Sequence, residues 1–243
     1  MPTIIAAFFI LAVSSCTSFK REGDVLIKYT GKATEVSIPD GITKIGDNAF
    51  DSCRNLIEIT LPDSITEIGN YAFNWCSSLT SINIPDGVTI IGKNTFTNCL
   101  SLESITIPNS VTEIGNYAFS GCSSLTSITI PKGVTEIGRA AFSGCSSLTS
   151  ITIPKGITTI SDYMFQNCEN LTNVTIPDGV TKIGIAAFNK CSSLTSVNIP
   201  FSVKTIYEDA FKGCDNVEIY YNGGIYDNES IFTKVFNFKY TKM

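Results

Sequence analysis

Histidine is absent from this 243-residue sequence, and tryptophan occurs only once. Without histidine the chain cannot build a Ser–His or Cys–His nucleophile pair, or a zinc site with imidazole ligands. Basic residues are also few, 17 against 22 acidic ones, so the net charge is −5 and no basic surface is available for phosphates. These absences argue against nucleic-acid binding and most enzyme classes, and we expect no catalytic residue, metal site or cofactor.

Long apolar runs are also missing, apart from residues 4–13, a stretch too short to span a bilayer but suited to a signal peptide. This run leads into Val13-Ser14-Ser15-Cys16, which resembles a bacterial lipobox, where the chain is cut before the cysteine and the thiol carries a lipid. We therefore expect a lipoprotein signal over residues 1–15, lipid attachment at Cys16 and a tether over residues 16–23. No Lys or Arg precedes the run, so an ordinary cleaved signal, a misassigned start and an unprocessed hydrophobic tail remain alternatives.

Cysteine, by contrast, is regularly spaced. Eight cysteines follow one another at intervals of 23 residues: Cys53, Cys76, Cys99, Cys122, Cys145, Cys168, Cys191 and Cys214. Proline from Pro39 to Pro200 and phenylalanine from Phe50 to Phe211 keep the same interval. A fixed period of this length indicates a repeat architecture. We assign eight repeats to residues 39–222, an N-terminal cap with the first ladder strand to residues 24–38, and a C-terminal cap to residues 223–243.

One repeat, residues 131–153, shows how the apolar spacing changes along the unit. Residues 150–153 alternate between polar and apolar, which predicts a half-buried strand. Residues 134–137 predict a second short extended segment. The apolar residues between 141 and 145 have the spacing of a helical turn. We therefore expect two strands and one short helical or 3-10 turn in each repeat.

A glycine after the second segment, Gly138 in this repeat, is expected to supply the positive φ that turns the chain into the helical turn. Ser161 and Tyr207 replace this glycine in two repeats. Their corners are expected to be strained or differently turned.

The segment Leu-x-x-Ile-x-Ile at residues 125–130 resembles the leucine-rich repeat, and the 23-residue unit with its Pro, Ile-Gly, Ala-Phe and Cys resembles the BspA-type bacterial surface repeat. This resemblance covers residues 24–222 and implies a cell-surface or secreted protein that binds or adheres, with no catalytic residue carried across. Glycine or serine takes the place of the asparagine ladder of ordinary leucine-rich repeats: Gly41, Ser64, Gly87, Ser110, Gly133, Gly156, Gly179 and Ser202.

A single unit buries too few apolar side chains to fold alone, so neighbouring units must stack. We predict a right-handed leucine-rich-repeat-like solenoid, mainly β, with a parallel strand ladder. Stacked cysteines one rung apart would keep their Cβ atoms beyond the usual disulfide separation. The repeat cysteines are therefore predicted to be free, buried thiols, although an extracellular location keeps disulfides as an alternative.

Two columns of the first strand face outward, and most of their side chains are hydroxyls. We place a ligand on the rungs with the most regular sequence, which carry Ser104, Thr106, Ser127, Thr129, Ser150 and Thr152. The alternative is that threonine is present because it suits a strand, and no ligand is involved.

A second candidate surface is Tyr71, Trp75 and Tyr117, whose rings could instead cover neighbouring repeats. Glu67, Glu113 and Glu136 share a column and read as a solvated charge stripe.

The function expected from these observations is non-catalytic binding or adhesion to a protein or glycan, host-derived ligands included. A passive spacer of the cell envelope is the alternative, favoured by the uniform hydroxyl columns. Either signal at the N-terminus predicts export, to the cell surface or outer membrane as a lipoprotein or into the medium. Contact with a membrane is expected only through the N-terminal lipid, and the sequence leaves the oligomeric state open.

Overall fold

A computed structural model of the chain describes residues 18–207, 209–222, 224–227 and 231. They form a parallel-strand β-solenoid of about eight turns, as the period predicts. The strands are, in chain order, β1 (Phe19–Glu22), β2 (Val25–Tyr29), β3 (Glu35–Ser37), β4 (Lys44–Ile45), β5 (Glu58–Thr60), β6 (Glu67–Ile68), β7 (Ser81–Asn83), β8 (Ile90–Ile91), β9 (Ser104–Thr106), β10 (Glu113–Ile114), β11 (Glu136–Ile137), β12 (Ser150–Thr152), β13 (Thr159–Ile160), β14 (Asn173–Thr175), β15 (Lys182–Ile183), β16 (Ser196–Asn198), β17 (Thr205–Ile206), β18 (Glu218–Tyr221) and β19 (Gly224–Tyr226).

The strands form two ladders that run along the solenoid. Ladder 1 contains β3-β5-β7-β9 and then β12-β14-β16-β18, with β19 added antiparallel at its end. Ladder 2 contains β2-β4-β6, β8-β10-β11 and β13-β15-β17. Parallel partners are one repeat apart, as in the pairs Ile82↔Ile105 and Ile183↔Ile206. Equivalent side chains of successive repeats therefore stack in columns.

The N-terminal end of the solenoid is closed by a hairpin. Strand β1 pairs antiparallel with β2, and β2 pairs in parallel with β4. The ring of Phe19 lies 5.4 Å from that of Tyr29, and Tyr29 lies 5.2 Å from Phe50. Residues 19–22, which we assigned to a tether, thus form a strand, because an apolar ring among polar neighbours was available to cover the first core residues.

The core is a continuous stack of phenylalanine rings, one from each repeat. Neighbouring centroids lie between 5.2 Å (Phe50 to Phe73) and 5.7 Å (Phe142 to Phe165) apart. The stacked residues are Phe50, Phe73, Phe96, Phe119, Phe142, Phe165, Phe188 and Phe211, all fully buried. Because each ring from Phe50 to Phe188 is covered by a ring on both sides, burial depends on stacking and not on the single repeat.

All eight repeat cysteines are free thiols, as the spacing predicts, and all but the half-buried Cys53 lie in the core. Each buried thiol donates a hydrogen bond to the main-chain carbonyl of a phenylalanine 26 residues earlier, at 3.1 Å from Cys122 to Phe96 and 3.2 Å from Cys145 to Phe119. Burial raises the pKa of the Cys122 thiol well above its usual range. The cysteine column therefore links consecutive rungs without disulfides.

The expected helical or 3-10 turns do not form, and residues 18–207 contain no helix. Instead, residues 138–145 make successive tight turns, with Ser143 N–H donating to the Ala140 carbonyl at 3.1 Å and Cys145 N–H to Phe142 at 3.2 Å. Ala140 and Gly144 adopt left-handed φ values of 52° and 76°. A left-handed residue before and within the apolar turn prevents the run of right-handed residues that a helix requires.

The same two left-handed positions occur in all eight repeats, four residues apart. The first column is Asn48, Tyr71, Asn94, Tyr117, Ala140, Tyr163, Ala186 and Asp209, and the second is Ser52, Trp75, Asn98, Gly121, Gly144, Asn167, Lys190 and Gly213. Most of these residues are not glycine, so each left-handed side chain costs about 1 kcal/mol that the stacking must offset.

The prediction that Gly138 supplies a positive φ is wrong, because its φ is not positive. A Cβ on Gly138 would lie 2.5 Å from the backbone nitrogen of Asn116 in the preceding rung. Asn116 in turn accepts a hydrogen bond from the backbone N–H of Arg139 at 2.7 Å through Oδ1. Glycine is needed here because the asparagine side chain and its backbone approach the corner closely.

Ser161 and Tyr207, which replace this glycine, are not left-handed either, so the expected strain at these corners is absent. Tyr207 N–H donates to the Ile183 carbonyl at 2.9 Å, the bond that glycine makes in other repeats. Ser161 uses its hydroxyl, which donates to the Ile137 carbonyl at 2.6 Å. The rungs before them carry arginine and isoleucine at the asparagine position, which removes the amide that would crowd a side chain.

At the C-terminal end, β18 pairs antiparallel with β19 and thereby covers the last strand of ladder 1. Ile231 is fully buried in the core cluster, and the partly buried Tyr226 packs against that cluster. These residues belong to the segment assigned as a C-terminal cap. The remainder of that assignment, together with the signal peptide and Cys16, lies outside the described residues.

Candidate binding surfaces

The six residues proposed for a ligand, Ser104, Thr106, Ser127, Thr129, Ser150 and Thr152, are all exposed on the outer side of ladder 1. We call them the hydroxyl face. Strands β9 and β12 position four of them, because Ile105 and Ile151 between them point into the core. Within the described part of the chain, none of the six side chains forms a hydrogen bond, so their donors and acceptors face solvent.

These rungs are regular in sequence, but their strand pairing is not. Ladder 1 is interrupted between β9 and β12, where Ser127 forms only an isolated bridge to Ser150. Ser104 pairs on its other side with Ser81. The repeats are equally regular in sequence here, and no feature of the sequence accounts for the interruption. The hydroxyl face therefore has two paired ends and a looser rung in the middle.

Hydroxyls in the columns beside this face do have partners. Thr112 donates to the Thr89 carbonyl at 3.4 Å, and Thr135 donates to the Thr112 carbonyl at 3.5 Å. Thr149 donates to the Thr126 carbonyl at 3.4 Å. Since the preceding rung satisfies these side chains, the hydroxyl face differs from its surroundings in leaving its polar groups unpaired.

Sequence reasoning missed an aromatic residue at the C-terminal end of the same ladder. Tyr220 pairs with Asn198 and continues the outward column of Thr106, with its ring partly exposed. Its hydroxyl donates to a Glu218 carboxylate oxygen at 2.6 Å, and this bond raises the pKa of Tyr220. Ser196 pairs with Glu218, so the last repeat keeps register with the ladder although it is one residue shorter. Aligning the sequence with that one-residue deletion would have placed Tyr220 in the outward column.

The second candidate surface is only partly brought together. Tyr71 and Tyr117 are half-buried in the same left-handed column, two rungs apart, with Asn94 between them. Trp75 is more exposed and lies under the guanidinium of Arg54, 5.5 Å from the ring centroid. No ring contact joins the three aromatics in the described structure. They form separate exposed rings and not one apolar surface.

The carboxylates of Glu67, Glu113 and Glu136 do not form an unbroken column. Glu67 forms an ion pair with Lys44 at 2.6 Å, which raises the pKa of the lysine. Ile90 separates Glu67 from Glu113.

Among the described residues, no group of three or more cysteine or carboxylate side chains could hold a metal ion. In the same residues, no helix has the length and apolar character needed to cross a membrane.

Comparisons with known proteins agree with this architecture. A sequence model of the BspA type leucine rich repeat region, in six copies, matches residues 23–123 and 89–218. The chain is similar in structure to the leucine-rich repeat protein TpLRR of T. pallidum, with a TM-score of 0.66 and 34% sequence identity over 74% of this chain and 84% of that one. No curated protein matches the sequence.

A second similar structure is a leucine-rich repeat protein from Bacteroides ovatus ATCC 8483. Its TM-score is 0.54 at 29% identity, and the alignment covers 82% of this chain and 78% of that one. In both cases the similarity extends over most of the two chains, so the stacked repeats and not a local motif carry it.

Proposed function

The chain belongs to the BspA-type leucine-rich repeat family, and we propose that it is an exported, non-catalytic binding protein that holds a protein or glycan ligand, host-derived ligands included, on its hydroxyl face. No cofactor takes part in this function. The ligand meets a row of exposed serine and threonine side chains on the outside of the solenoid.

The observation that supports this proposal is the contrast between two sets of threonines. Thr112 and Thr135 give their hydroxyl hydrogens to the preceding rung, whereas Thr106 and Thr129 have no partner in the described structure. A hydroxyl that is held in place but unpaired can donate to one ligand atom and accept from another. Protein main chain and sugar hydroxyls both offer such complementary groups.

Affinity on this surface must come from repetition. A hydrogen bond between neutral groups contributes about 0.5 to 1.5 kcal/mol net, because each partner first gives up water. The hydroxyl face has no charged or aromatic side chain that could act as a strong single anchor. We therefore expect weak binding by one molecule and avid binding when many copies on a cell engage an extended ligand.

The experiment is to replace Thr106, Thr129 and Thr152 with lysine and to measure binding to matrix proteins, cell-wall glycans and whole cells. Three charged, longer side chains should abolish binding while the thermal transition stays nearly unchanged, since all three positions are exposed. The matched control replaces Thr89, Thr112 and Thr135 with lysine, which adds the same charge in a neighbouring exposed column. Full binding by the first variant would overturn the proposal and direct the search to Tyr71, Trp75 and Tyr117 or to the C-terminal cap.

For the N-terminus we propose lipid attachment at Cys16, which would anchor the protein at the cell surface. The supporting pattern is the small-residue pair before Cys16 at the end of an apolar run. A labelled lipid precursor should be incorporated into the protein but not into Cys16→Ala, and protease added to intact cells should digest the anchored protein. Incorporation that survives Cys16→Ala would refute the anchor.

A passive spacer is the second candidate, and the uniform composition of the outward columns favours it. Duplication of one repeat produces such uniformity without selection for a ligand. Uniformly negative binding in the experiment above would support the spacer and exclude the binding function.

A further inference from the structure

An open groove lies on the corner of the solenoid in its C-terminal half, and it shares no residue with the hydroxyl face. Its volume is about 450 Å³, within the usual range for small-ligand sites. Tyr163 forms one wall and Asp209 the other, two rungs further on, with Ala186 between them. The small side chain of Ala186 leaves space between these walls, and Asp209 stands where the alternation of Tyr71, Tyr117 and Tyr163 would place another tyrosine.

One face of the Tyr163 ring is open to this groove. The guanidinium of Arg139, from the rung before, lies 4.7 Å from the ring centroid and covers the N-terminal face. The equivalent residue on the following rung is Ile185, which lines the groove beside Ala186. Tyr163 and Ile185 thus give the groove an apolar side against which an apolar face of a ligand can pack.

The floor of the groove contains a buried amide with an unused donor. Asn189 is only 8% exposed, and its Oδ1 accepts a hydrogen bond from Gln166 Nε2 at 3.4 Å. Its Nδ2 has no partner among the described residues, yet it is not sealed from solvent. Since a buried amide normally has its hydrogen bonds satisfied, this nitrogen is available to a ligand in the groove.

The charged groups of the groove favour one negative charge on that ligand. Lys190 and Lys212 supply two ammonium groups, and Asp209 supplies one carboxylate. Asp209 is paired with Lys212 at 3.1 Å, so the Lys190 ammonium remains without a carboxylate partner in the described structure. A flat ring, an amide donor and one unpaired cation together fit a sugar ring that carries a carboxylate.

We propose that this groove binds an acidic pyranose of a glycan, such as a uronic acid residue. The apolar face of the sugar packs on Tyr163, a ring hydroxyl accepts from Asn189 Nδ2, and the carboxylate pairs with Lys190. Asp209 accepts from a second sugar hydroxyl. This site goes beyond the proposed function, because it adds a separate surface with a named ligand class.

The experiment measures binding of a galacturonic acid trimer and a hyaluronan tetrasaccharide by calorimetry, with the carboxyl-reduced form of each as the neutral comparison. At least one acidic oligosaccharide should bind, and reduction of its carboxylates should weaken binding at least tenfold. Ala186→Tyr should block the groove with the residue that its column already accommodates at a similar φ, 57° to 58° against 49° for Ala186. Asn189→Leu and Tyr163→Ala should each weaken binding about tenfold.

Tyr117→Ala is the matched control, because Tyr117 has the same position in its repeat but does not line the groove. It should bind as the parent protein does, and so should the Thr106, Thr129 and Thr152 lysine variant, which separates this site from the hydroxyl face. Thermal transitions of all variants establish that they fold. Failure of both acidic oligosaccharides to bind, equal binding of the reduced forms, or unchanged binding by Ala186→Tyr would overturn the proposal.

Discussion

Cys122 donates its thiol hydrogen to the main-chain carbonyl of Phe96, 26 residues earlier, over 3.1 Å. The same carbonyl accepts the backbone N–H of Cys99 at 3.2 Å inside its own turn. One oxygen thus closes a tight turn and ties it to the next rung. Cysteine suits this position because it is a small apolar residue with one weak donor, and the position requires both properties.

Thiol reactivity should follow this arrangement. In the native protein at pH 8, iodoacetamide should modify Cys53 before the seven buried cysteines, because Cys53 is half-buried and Cys122 is inaccessible. Burial raises the pKa of both thiols and further suppresses the thiolate at Cys122. Peptide mass spectrometry over time measures the order, and denaturant should expose all eight repeat thiols. Equal native rates at Cys53 and Cys122, or fewer than eight thiols after unfolding without reductant, would contradict the structure.

The same pKa shifts predict how stability depends on pH. A buried thiol stays protonated when folded but ionises near pH 8.5 when unfolded, so the folded state binds more protons above that pH. The free energy of unfolding should therefore fall as the pH rises above about 8.5, by about 1.4 kcal/mol per pH unit for each buried thiol. Denaturant titrations between pH 7 and 10 measure the slope. Cys122→Ala should reduce the slope by one thiol, and an unchanged slope would show that other groups cause it.

The period of 23 residues was sufficient to predict the stacked strands and the buried phenylalanine and cysteine columns. These features depend on which residues recur, and the sequence shows this directly. The left-handed positions were not predictable in the same way, because Tyr71 and Trp75 are residues that rarely adopt a positive φ. Their conformation is imposed by tight turns that bond to neighbouring rungs, and residue type alone carries no such signal.

The role of Gly138 illustrates the same limit. A glycine at a corner suggests a special φ, but the actual reason is the distance of 2.5 Å between its missing Cβ and the Asn116 nitrogen. The groove beside Tyr163 also depends on three-dimensional neighbours. Alanine occurs twice in this column, at Ala140 and Ala186, and Ala186 becomes informative only when Tyr163 and Asp209 are seen to stand on either side of it.

Backbone strain at the second left-handed position can be tested with glycine substitutions. Gly144 has φ +76°, and an added Cβ would meet its nearest neighbour, in Gly121, at an ordinary 3.5 Å. Gly144→Ala should therefore destabilise the protein by about 1 kcal/mol through φ alone. Gly133→Ala is the control, since Gly133 has no positive φ and its Cβ would have room at 3.6 Å from the Asn109 carbonyl.

Gly133→Ala should be neutral or stabilise by up to about 1 kcal/mol, because alanine restricts the unfolded chain. Urea denaturation with a common m-value measures both variants. Equal effects of the two substitutions would contradict the assignment of Gly144 as a strained position.

Salt should separate the two proposed binding surfaces. The hydroxyl face around Thr106 and Ser150 carries no charge, so a ligand bound there should change its Kd less than about twofold between 50 and 500 mM NaCl. The acidic sugar in the groove pairs with Lys190, whose attraction is screened as the Debye length falls from about 10 Å at 0.1 M to about 3 Å at 1 M salt. Its Kd should rise several-fold over the same range. Calorimetry at the two salt concentrations measures both. Loss of the first ligand's signal in the Thr106, Thr129 and Thr152 lysine variant identifies the hydroxyl face as its site. Strong salt dependence of that ligand would instead move its contact toward charged residues such as Glu35 and Glu58 at the start of the ladder.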